Sequence, residues 1–287
     1  MDGLIVKGIG GFYYVKTSDG KEYECKARGV FRKKHITPMI GDRVSIEKTE
    51  SGKGSINEIY PRTSSLIRPP VANIDTMIIV AAATSPDPNL FLLDKMLVNA
   101  EIGGIEPIIC INKTDLALRA DIEKIYKTAG YRVIVSSAEN GDGLDELKRI
   151  IKDKVTAFSG LSGVGKSTLL GMILNENLET GMISEKINRG KHTTRHVELF
   201  ELPEGGFVLD TPGFSSLEIE GIKADELQKY FPEMSGCEDL CKFRGCSHIN
   251  EPECAVREKL GSDLSESRYK SYIEIYNKLK QINKWHK

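Results

Sequence analysis

The chain lacks the features that mark membrane, secreted and polycationic proteins. None of its apolar runs approaches the length of a bilayer-spanning helix, and the first residues, MDGLIVKGIGGFYY, show no charged start followed by a long apolar core. We therefore expect a cytoplasmic protein without a membrane anchor. The net charge of −1 excludes a polycation, so any contact with nucleic acid must come from local basic patches. Internal repeats and low-complexity tracts are also missing.

The composition is that of a globular protein, with a crowded group of cysteines. A length of 287 residues favours two or three domains, and 40% hydrophobic with 28% charged residues is ordinary for a globular chain. Four of the six cysteines fall between Cys237 and Cys254. In a cytosolic chain such clustering indicates a metal site rather than disulfides.

Residues 1–64 are predicted to form a β-barrel domain. Short β-rich segments follow one another without a helix of any length, and Ser18-Asp19-Gly20 supplies a hairpin turn. Five short strands favour an OB-fold, a small barrel that commonly binds nucleic acid. A basic stretch with an interleaved Phe31 indicates RNA phosphate contacts, and a solvated loop is an equal alternative. Its basic members are Lys26, Arg28, Arg32, Lys33, Lys34 and His35.

Strands and helices alternate in the predicted central domain, residues 65–222. Residues 61–73, with three prolines and no periodicity, predict a linker that leads into it. The alternation that follows is typical of a mostly parallel sheet with helices on both faces. We therefore expect an α/β domain here.

The stretch SGLSGVGKSTLLGMI carries a phosphate-binding loop. The pattern G-x-x-x-x-G-K-[ST] matches in full between a predicted strand and a predicted helix. Glycines let backbone N–H groups converge on phosphate oxygens, Lys166 would reach the β- and γ-phosphates, and Ser167 would bind Mg²⁺. The predicted nucleotide-binding residues of the loop are Gly160, Leu161, Ser162, Gly163, Val164, Gly165, Lys166, Ser167 and Thr168.

Two further motifs, each after a predicted strand, select the base. The Asp115 carboxylate of NKTD can accept from the N1–H and 2-amino groups, donors that guanine presents side by side and adenine does not. Asn112 would tie loops together or reach the base, and the Lys113 stem would lie along the base. Ser137 and Ala138 of the SSA triplet would support the base from the backbone. These motifs predict GTP and GDP as the ligands.

The segments HTT and DTPG predict the remaining phosphate and magnesium contacts. Asp210 would hold Mg²⁺ from its outer shell, and the Gly213 N–H would meet the γ-phosphate. Within NRGKHTTRH, a threonine would complete the magnesium shell. Thr194 is the predicted residue and Thr193 the alternative.

Residues 223–287 are predicted to form a small α-helical zinc-binding domain. Cys241, Cys246, His248 and Cys254 supply three thiolates and one imidazole, which close a tetrahedral Zn²⁺ shell and leave no open position. A single structural ion of this kind folds a region too small to build its own core. Cys237 is a competing ligand that the spacing does not exclude.

Ser265–Lys287 is predicted to be a helix with one apolar face and a basic complement. We expect the apolar face to pack and the basic residues to be solvated. The apolar face carries Tyr269, Tyr272, Ile273, Tyr276 and Leu279, and the basic residues are Arg268, Lys270, Lys278, Lys280 and Lys284.

The order of the motifs carries a family resemblance. NKTD, SSA, GLSGVGKST, HTT and DTPG resemble the five GTPase motifs in the order 4-5-1-2-3, that of a circularly permuted GTPase. With the OB-like start and the CKFRGCSHINEPEC element, the chain resembles the RsgA (YjeQ/YloQ) family of small ribosomal subunit biogenesis GTPases over nearly its whole length. The resemblance implies GTP hydrolysis stimulated by the small ribosomal subunit, coupling to late subunit maturation, rRNA contacts and a free Cys237. We expect a monomer.

Hydrolysis is predicted to be slow without the partner. Many GTPases place a glutamine after the D-x-x-G motif to orient the attacking water, and here that position is Phe214. His192 is the internal candidate for positioning the water or accepting its proton, and the resemblance also points to it. An exposed loop histidine is the alternative. Lys166 and Thr194 complete the candidate catalytic set, which would act by positioning and charge.

The permutation connects the second switch directly to the cysteine-bearing domain. The chain leaves the central domain soon after Gly213. We therefore hypothesise that γ-phosphate contacts at Gly213 reposition that domain. Three other functions stay open: a GTPase acting on the large subunit or another RNA, an RNA-binding scaffold with GTP as a structural ligand, and a nucleoside kinase using only the phosphate loop.

Overall fold

The N-terminal strands close into a five-stranded barrel, as predicted. The computed structural model describes residues 1–49, 53–174, 197–211 and 218–285, with side chains as far as residue 282. The strand order is β1-β2-β3-β5-β4, and β4 returns to pair antiparallel with β1, which closes the barrel. The strands are β1 Asp2–Ile9, β2 Phe12–Thr17, β3 Glu22–Ala27, β4 Arg43–Lys48 and β5 Gly54–Ile59.

One short helix interrupts the barrel strands. Helix α1, Gly29–Lys33, was not expected between the third and fourth strands. Its Phe31 is buried in the barrel core with Ile5, Val44 and Ile56. The prediction that Phe31 interleaves with the basic residues of an RNA-binding loop is therefore wrong, because the ring contributes apolar area to the core instead.

Residues 61–73 are not a free linker. They contain a hairpin of β6, Ser65–Leu66, and β7, Val71–Ala72, and both Leu66 and Val71 are buried in the central core. The Asn73 amide donates to the Gly41 carbonyl at 2.9 Å. The linker prediction is wrong because the few apolar residues between the prolines pack against the sheet, so the barrel is joined to the sheet through an ordered hairpin.

The central region is a six-stranded, mostly parallel sheet, as the alternation predicted. Its order is β10-β9-β8-β11-β13-β12, and among the described strands of this sheet only β12 and β13 pair antiparallel. The strands are β8 Thr76–Ala82, β9 Glu106–Asn112, β10 Arg132–Val135, β11 Val155–Gly160, β12 Phe200–Glu201 and β13 Phe207–Asp210.

Helices cover both faces of this sheet. Successive strand residues alternate between the two cores, so Ile79 packs on one face and Ile78 and Val80 on the other. Helices α2 and α3 bury their apolar sides on the first face, and α4 and α5 on the second. The helices are α2 Leu90–Ile102, α3 Ala120–Thr128, α4 Leu144–Ile151 and α5 Lys166–Leu174.

The C-terminal region is built from short helical turns around one long helix. Three 3₁₀ segments, at Ala224–Tyr230, Pro232–Met234 and Glu238–Leu240, precede α6, Ala255–Glu258, and α7, Glu266–Trp285. Tyr272 and Leu279 are buried in a core that Val98 of α2 shares. Among the described helices, none is long and apolar enough to cross a bilayer.

Candidate functional site

The predicted nucleotide motifs meet at one edge of the central sheet. Asn112 ends β9, Gly160 ends β11 and Asp210 ends β13, while the SSA triplet directly follows β10. Because these strands are parallel, their carboxyl ends lie side by side, which is where open α/β sheets bind ligands. Motifs separated by up to about a hundred residues in sequence are thus brought into one site.

The phosphate-binding loop follows the sharp path that its glycines permit. Gly165 has φ of 92°, in the left-handed region, and a Cβ there would collide with the Asn112 amide. A Cβ at Gly160 would collide with the Val80 carbonyl oxygen. Helix α5 begins at Lys166, so the loop leads directly into a helix N-terminus, which favours anions.

Asn112 links the loop to the other base motif. Its Nδ2 donates to the Val164 carbonyl at 2.9 Å, and its Oδ1 accepts from the Ala138 N–H at 3.0 Å. The side chain is buried. Of the two roles considered for Asn112, the geometry shows the one in which it ties the loops together.

Asp115 is held in place by the triplet after β10. The Ser137 hydroxyl donates to Asp115 Oδ1 at 2.6 Å, and Ser137 is itself buried. Asp115 itself remains exposed. Lys113 adopts a left-handed φ of 64° and donates from Nζ to the Ser85 carbonyl. A carboxylate fixed in this way can accept two parallel hydrogen bonds from one base edge.

Lys166 and Asp210 form an ion pair that is largely shielded from solvent. Lys166 Nζ lies 2.9 Å from Asp210 Oδ1, and the two side chains are 12% and 9% exposed. Burial raises the pKa of Asp210, and the neighbouring ammonium of Lys166 opposes that rise. The residues predicted to meet phosphate and magnesium are therefore adjacent, and Ser167 and Thr168 follow them, exposed, in the first turn of α5.

Several residues of the predicted catalytic and nucleotide-binding motifs lie outside the described part of the chain. These residues are His192, Thr193, Thr194, Gly213 and Phe214. Their predicted roles stay predictions.

The four predicted zinc ligands converge in the C-terminal region. The sulfur atoms of Cys241, Cys246 and Cys254 and a ring nitrogen of His248 all lie within 4.8 Å of one another. His248 Nδ1 is 3.3 Å from Cys254 Sγ and 3.5 Å from Cys241 Sγ, and the two sulfurs are 3.9 Å apart. A tetrahedral zinc ion at ordinary bond lengths gives S···S of about 3.8 Å and S···N of about 3.5 Å. The donor set fits zinc.

Surrounding groups orient the His248 ring. Its Nε2, on the side away from the sulfurs, contacts the side-chain oxygen of Gln228, so Nδ1 is the atom that faces the thiols. Tyr269 donates to the His248 carbonyl at 2.8 Å, and Tyr272 donates to the Ser247 carbonyl at 3.0 Å. Burial lowers the pKa of His248, which favours the neutral imidazole that binds metals.

Glu251 closes the loop between the ligands. Its carboxylate accepts from the Ser247 N–H at 2.9 Å and from the Ile249 and Asn250 N–H groups at 3.1 Å. Burial would raise the pKa of Glu251, but the Ser247 hydroxyl, which donates to the carboxylate at 2.6 Å, and backbone N–H groups of this loop hold that pKa down at about 2. Cys237 is buried in the nearby core and lies outside the group of four.

A buried charge network between α2 and α7 is the feature that the sequence predictions missed. Arg268 donates to Asp94 at 2.8 Å and to both Glu233 oxygens at 2.7 and 3.0 Å. Its side chain is 1% exposed, so its placement among solvated basic residues is wrong. The available signal was its spacing, because Arg268 lies one turn before Tyr272 on the apolar face of the helix.

The basic stretch of the barrel is exposed. Lys26 and Lys53 both lie over the Phe12 ring, with Nζ 4.8 and 5.6 Å from its centroid. All six basic residues of the stretch face solvent, in contrast to Phe31. An aromatic ring flanked by ammonium groups is a surface suited to nucleic acid, and it is formed by Phe12 rather than by the predicted Phe31.

The sheet order, the motifs at its edge and their order in the chain define a circularly permuted P-loop GTPase. Comparison with known proteins agrees. A family model described as RsgA GTPase matches residues 59–220, and one described as RsgA N-terminal domain matches residues 2–56. The chain belongs to the RsgA GTPase family, whose members hydrolyse GTP, so the predicted resemblance and enzyme class are confirmed.

Relatives of known name match over nearly the whole chain. A small ribosomal subunit biogenesis GTPase RsgA from Caldanaerobacter subterraneus subsp. tengcongensis is 47% identical over 99% of this chain and 97% of its own. One from Ruminiclostridium cellulolyticum is 50% identical over 98% and 94%. The crystal structure of YjeQ from Thermotoga maritima has a TM-score of 0.83 at 35% identity, covering 97% and 98% of the two chains. YloQ, described as a circularly permuted GTPase, has a TM-score of 0.80 at 38% identity, covering 98% and 95%.

Proposed function

We propose that this chain is a GTPase that binds the small ribosomal subunit and couples GTP hydrolysis to late maturation of the subunit or release of an assembly factor. The observation that carries the proposal is the convergence of NKTD, SSA, the phosphate loop and Asp210 at one sheet edge. The relatives named for small-subunit biogenesis support the partner, because they match from the barrel to the C-terminal region.

The nucleotide would lie across the carboxyl ends of β9, β11 and β13. The Asp115 carboxylate would read guanine, the amides of residues 160–165 would hold the phosphates, and Lys166 would turn from Asp210 towards the β- and γ-phosphates. Ser167 would bind Mg²⁺ directly, and Asp210 would hold the ion from its outer shell. When bound, this ion neutralises charge that develops on the transferred phosphoryl group. Gly213 would meet the γ-phosphate.

Hydrolysis would be completed by residues from the switch segment. His192 would position the attacking water, and Thr194, with Thr193 as the alternative, would complete the magnesium shell. Because Phe214 stands where many GTPases have glutamine, intrinsic turnover would be low and the subunit would raise it. A His192→Ala variant should lose stimulated turnover. Full stimulated turnover in that variant would refute the role of His192.

The C-terminal metal is proposed to be one structural zinc ion. Cys241, Cys246, Cys254 and His248 Nδ1 would hold it, and Cys237 would stay free, because it lies outside the group of ligand atoms. The contact between His248 Nε2 and Gln228 fixes the ring for this role.

We further propose the division of the chain into residues 1–64, 65–222 and 223–287. The first would contact rRNA through the exposed basic stretch and Phe12, the second would bind the nucleotide, and the third would hold zinc. The protein would act as a cytoplasmic monomer.

GTP turnover measured with purified small and large ribosomal subunits, added separately, tests the proposal. We expect low basal turnover and stimulation by the small subunit alone. Stimulation by the large subunit alone would favour the rival GTPase function, and no turnover under any condition would favour the scaffold. Asp115→Asn is the specificity control, because an amide can still accept from N1–H and can donate to the 2-oxygen that xanthine carries in place of the 2-amino group. Exchanging that one hydrogen bond should shift the preference from guanine to xanthine nucleotides by about 10-fold or more.

A further inference from the structure

The segment at residues 197–201 pairs with the barrel as well as with the central sheet. Glu198 forms an antiparallel bridge with Lys7 of β1, and the Leu199 N–H donates to the Val6 carbonyl at 2.9 Å. We call this contact the barrel seam. It joins residues 4–7 of β1 and the adjoining part of β2 to residues 197–201.

A β-bulge in β1 aims two consecutive side chains at the seam. Ile5 pairs with Val15 and Lys7 with Tyr14, so Val6 is the extra residue. Ile5 stays in the barrel core, while Val6 joins the core of the central sheet. Without the bulge, Lys7 would point into the barrel with Ile5, since side chains alternate along a strand. The bulge therefore presents both Val6 and Lys7 to residues 197–201.

The seam combines apolar burial with ion pairs. Val6, Val197 and Leu199 are 5%, 8% and 5% exposed. Lys7 Nζ lies 2.9 Å from Glu198, and Lys16 Nζ of β2 lies 2.8 Å from Glu201. Both pairs join a barrel lysine to a glutamate of the central domain, so displacement of the barrel would act on this segment at several points.

The seam is continuous with the nucleotide site through hydrogen-bonded strands. Phe200 pairs with Val208 and Glu201 with Phe207, so the segment is in register with β13. Strand β13 ends at Asp210, which forms the ion pair with Lys166. β1, residues 197–201 and β13 are thus adjacent, and the ion pair at the end of β13 connects them to Lys166.

We propose that the barrel seam conveys subunit binding at the barrel to the GTPase site, with Lys7 and Glu198 as positioning residues for hydrolysis. The inference rests on the proposed function, since it requires that the small subunit binds the barrel and stimulates turnover. When the barrel is held by the subunit, β1 holds residues 197–201 in place, and through β13 it sets the position of Asp210 relative to Lys166.

Charge reversal at the Lys7–Glu198 pair tests the inference. GTP turnover and subunit binding are measured for the full chain and for Lys7→Glu, Glu198→Lys and the double variant, with and without purified small subunits. The two single variants change net charge in opposite directions. A loss of turnover that came only from weakened attraction between the barrel and rRNA would appear in Lys7→Glu but not in Glu198→Lys.

We expect both single variants to lose stimulated GTP turnover and the double variant to recover it. Each single variant should lose about fivefold in stimulated turnover, the effect of replacing one partly exposed attraction by a repulsion. Basal turnover and subunit affinity should stay within twofold of the parent. The double variant should return stimulated turnover to within twofold, because the pair is restored with its charges exchanged.

Three outcomes would overturn the inference: unchanged stimulation in both single variants, a loss confined to Lys7→Glu, or a double variant without recovery. A second comparison addresses the apolar part of the seam. Val6→Ala should reduce the stimulation of turnover by small subunits. Val133→Ala is the matched control, because it removes the same two methyl groups from the same core at the opposite edge of the sheet, and it should leave the stimulation unchanged. Equal effects of the two would also refute the inference. A parent protein that small subunits fail to stimulate would refute the proposed function, and this inference with it.

Discussion

The central domain is joined to its two neighbours by contacts of opposite character. On the barrel side, the partly exposed pairs Lys7–Glu198 and Lys16–Glu201 flank a short stretch of strand pairing. On the C-terminal side, a fully buried Arg268 lies between Asp94 of α2 and Glu233. The Phe231 ring stacks 4.6 Å from the Arg268 guanidinium carbon, and the Tyr131 ring lies 5.2 Å away.

The difference in burial sets the energetic scale of each junction. Exposed ion pairs contribute about 0–1 kcal/mol each, because water competes for both charges. Removing one partner from a buried pair costs about 3–5 kcal/mol, because the remaining charge stays in a region of low dielectric constant. We infer that the charge network between the C-terminal region and α2 is costly to break, while the ion pairs of the barrel seam are weak enough to be adjusted by a bound partner.

The buried network also carries an unequal number of charges. One guanidinium faces two carboxylates, and Tyr126 donates a further hydrogen bond to Asp94 at 2.9 Å. Burial raises the pKa of Asp94, against the effect of Arg268. Burial alone would lower the pKa of Arg268, yet Asp94 and Glu233 hold it well above its usual value. Arg268 is therefore permanently charged, and both carboxylates depend on it.

Loss of a proposed zinc ligand should have the largest effect on the comparison, because we expect the C-terminal region to depend on the metal for its folding. Cys254→Ser should abolish zinc binding and with it the folding free energy that the ion supplies, on the order of 10 kcal/mol for structural sites. Zinc content measured by elemental analysis, with hydrogen exchange in α7, checks this. Cys237→Ser is the matched control and should retain one zinc ion per chain. Zinc loss in the control would make Cys237 a ligand.

Removal of the buried guanidinium is expected to have the next largest effect. Arg268→Met keeps the aliphatic length but leaves Asp94 and Glu233 buried without their partner, so stability should fall by about 3–5 kcal/mol. Urea unfolding followed by circular dichroism measures the change. Arg132→Met, which removes the exposed pair with Glu146, should cost about 1 kcal/mol or less. Similar losses in the two variants would contradict the contrast drawn between the junctions.

Gln228 offers a finer test of the C-terminal region, because its side chain contacts the His248 ring. Gln228→Leu should weaken zinc affinity about 10–100-fold, because the His248 ring loses the acceptor that orients Nδ1 towards the sulfurs. Competition with a chromophoric chelator gives the affinity. Gln228→Glu keeps an acceptor at the same reach and should hold zinc at least as well as the parent. Equal weakening in both variants would show that accepting the hydrogen bond from His248 Nε2 is not how Gln228 supports zinc binding.

Salt should have the smallest effect, and only on the barrel side. Raising NaCl from 0.1 to 1 M shortens the screening length from about 10 to about 3 Å, which weakens partly exposed pairs far more than buried ones. Hydrogen exchange of the Leu199 amide, which donates to Val6, should accelerate by less than about fivefold, corresponding to roughly 1 kcal/mol or less. Amides around Arg268 should be unaffected. Faster exchange of the amides around Arg268 would contradict the prediction, because it would show that salt weakens the C-terminal junction.

The local sequence pattern was sufficient to predict the parts of the nucleotide and metal sites that are formed by short segments. The strand, glycine loop and helix around Lys166 and the strand ends at Asn112 and Asp210 all formed as predicted. Each of these features depends on backbone conformation and hydrophobic alternation within about ten residues, and such preferences are written locally. The Cys₃His spacing likewise brought its four ligand atoms together.

Predictions failed where a residue's partner comes from a distant part of the chain. Arg268 looks like one of several basic residues on a helix until Asp94, 174 positions away, is placed beside it. Phe31 looks like an aromatic within a basic loop until α1 turns it into the barrel. Residues 61–73 look like a linker until Leu66 and Val71 meet the sheet. Burial depends on what packs opposite, and that information is absent from the local pattern.

The sequence by itself determined the enzyme class, the base and the metal donor set, because each rests on a few chemically specialised residues at set spacing. Only the tertiary structure decided how the three regions are joined. The bulge that aims Val6 and Lys7 at residues 197–201, and the burial of Arg268 between two carboxylates, exist only once strands and helices from distant segments have packed. The physical reason is that desolvation and long-range pairing are properties of the assembled core rather than of any segment within it.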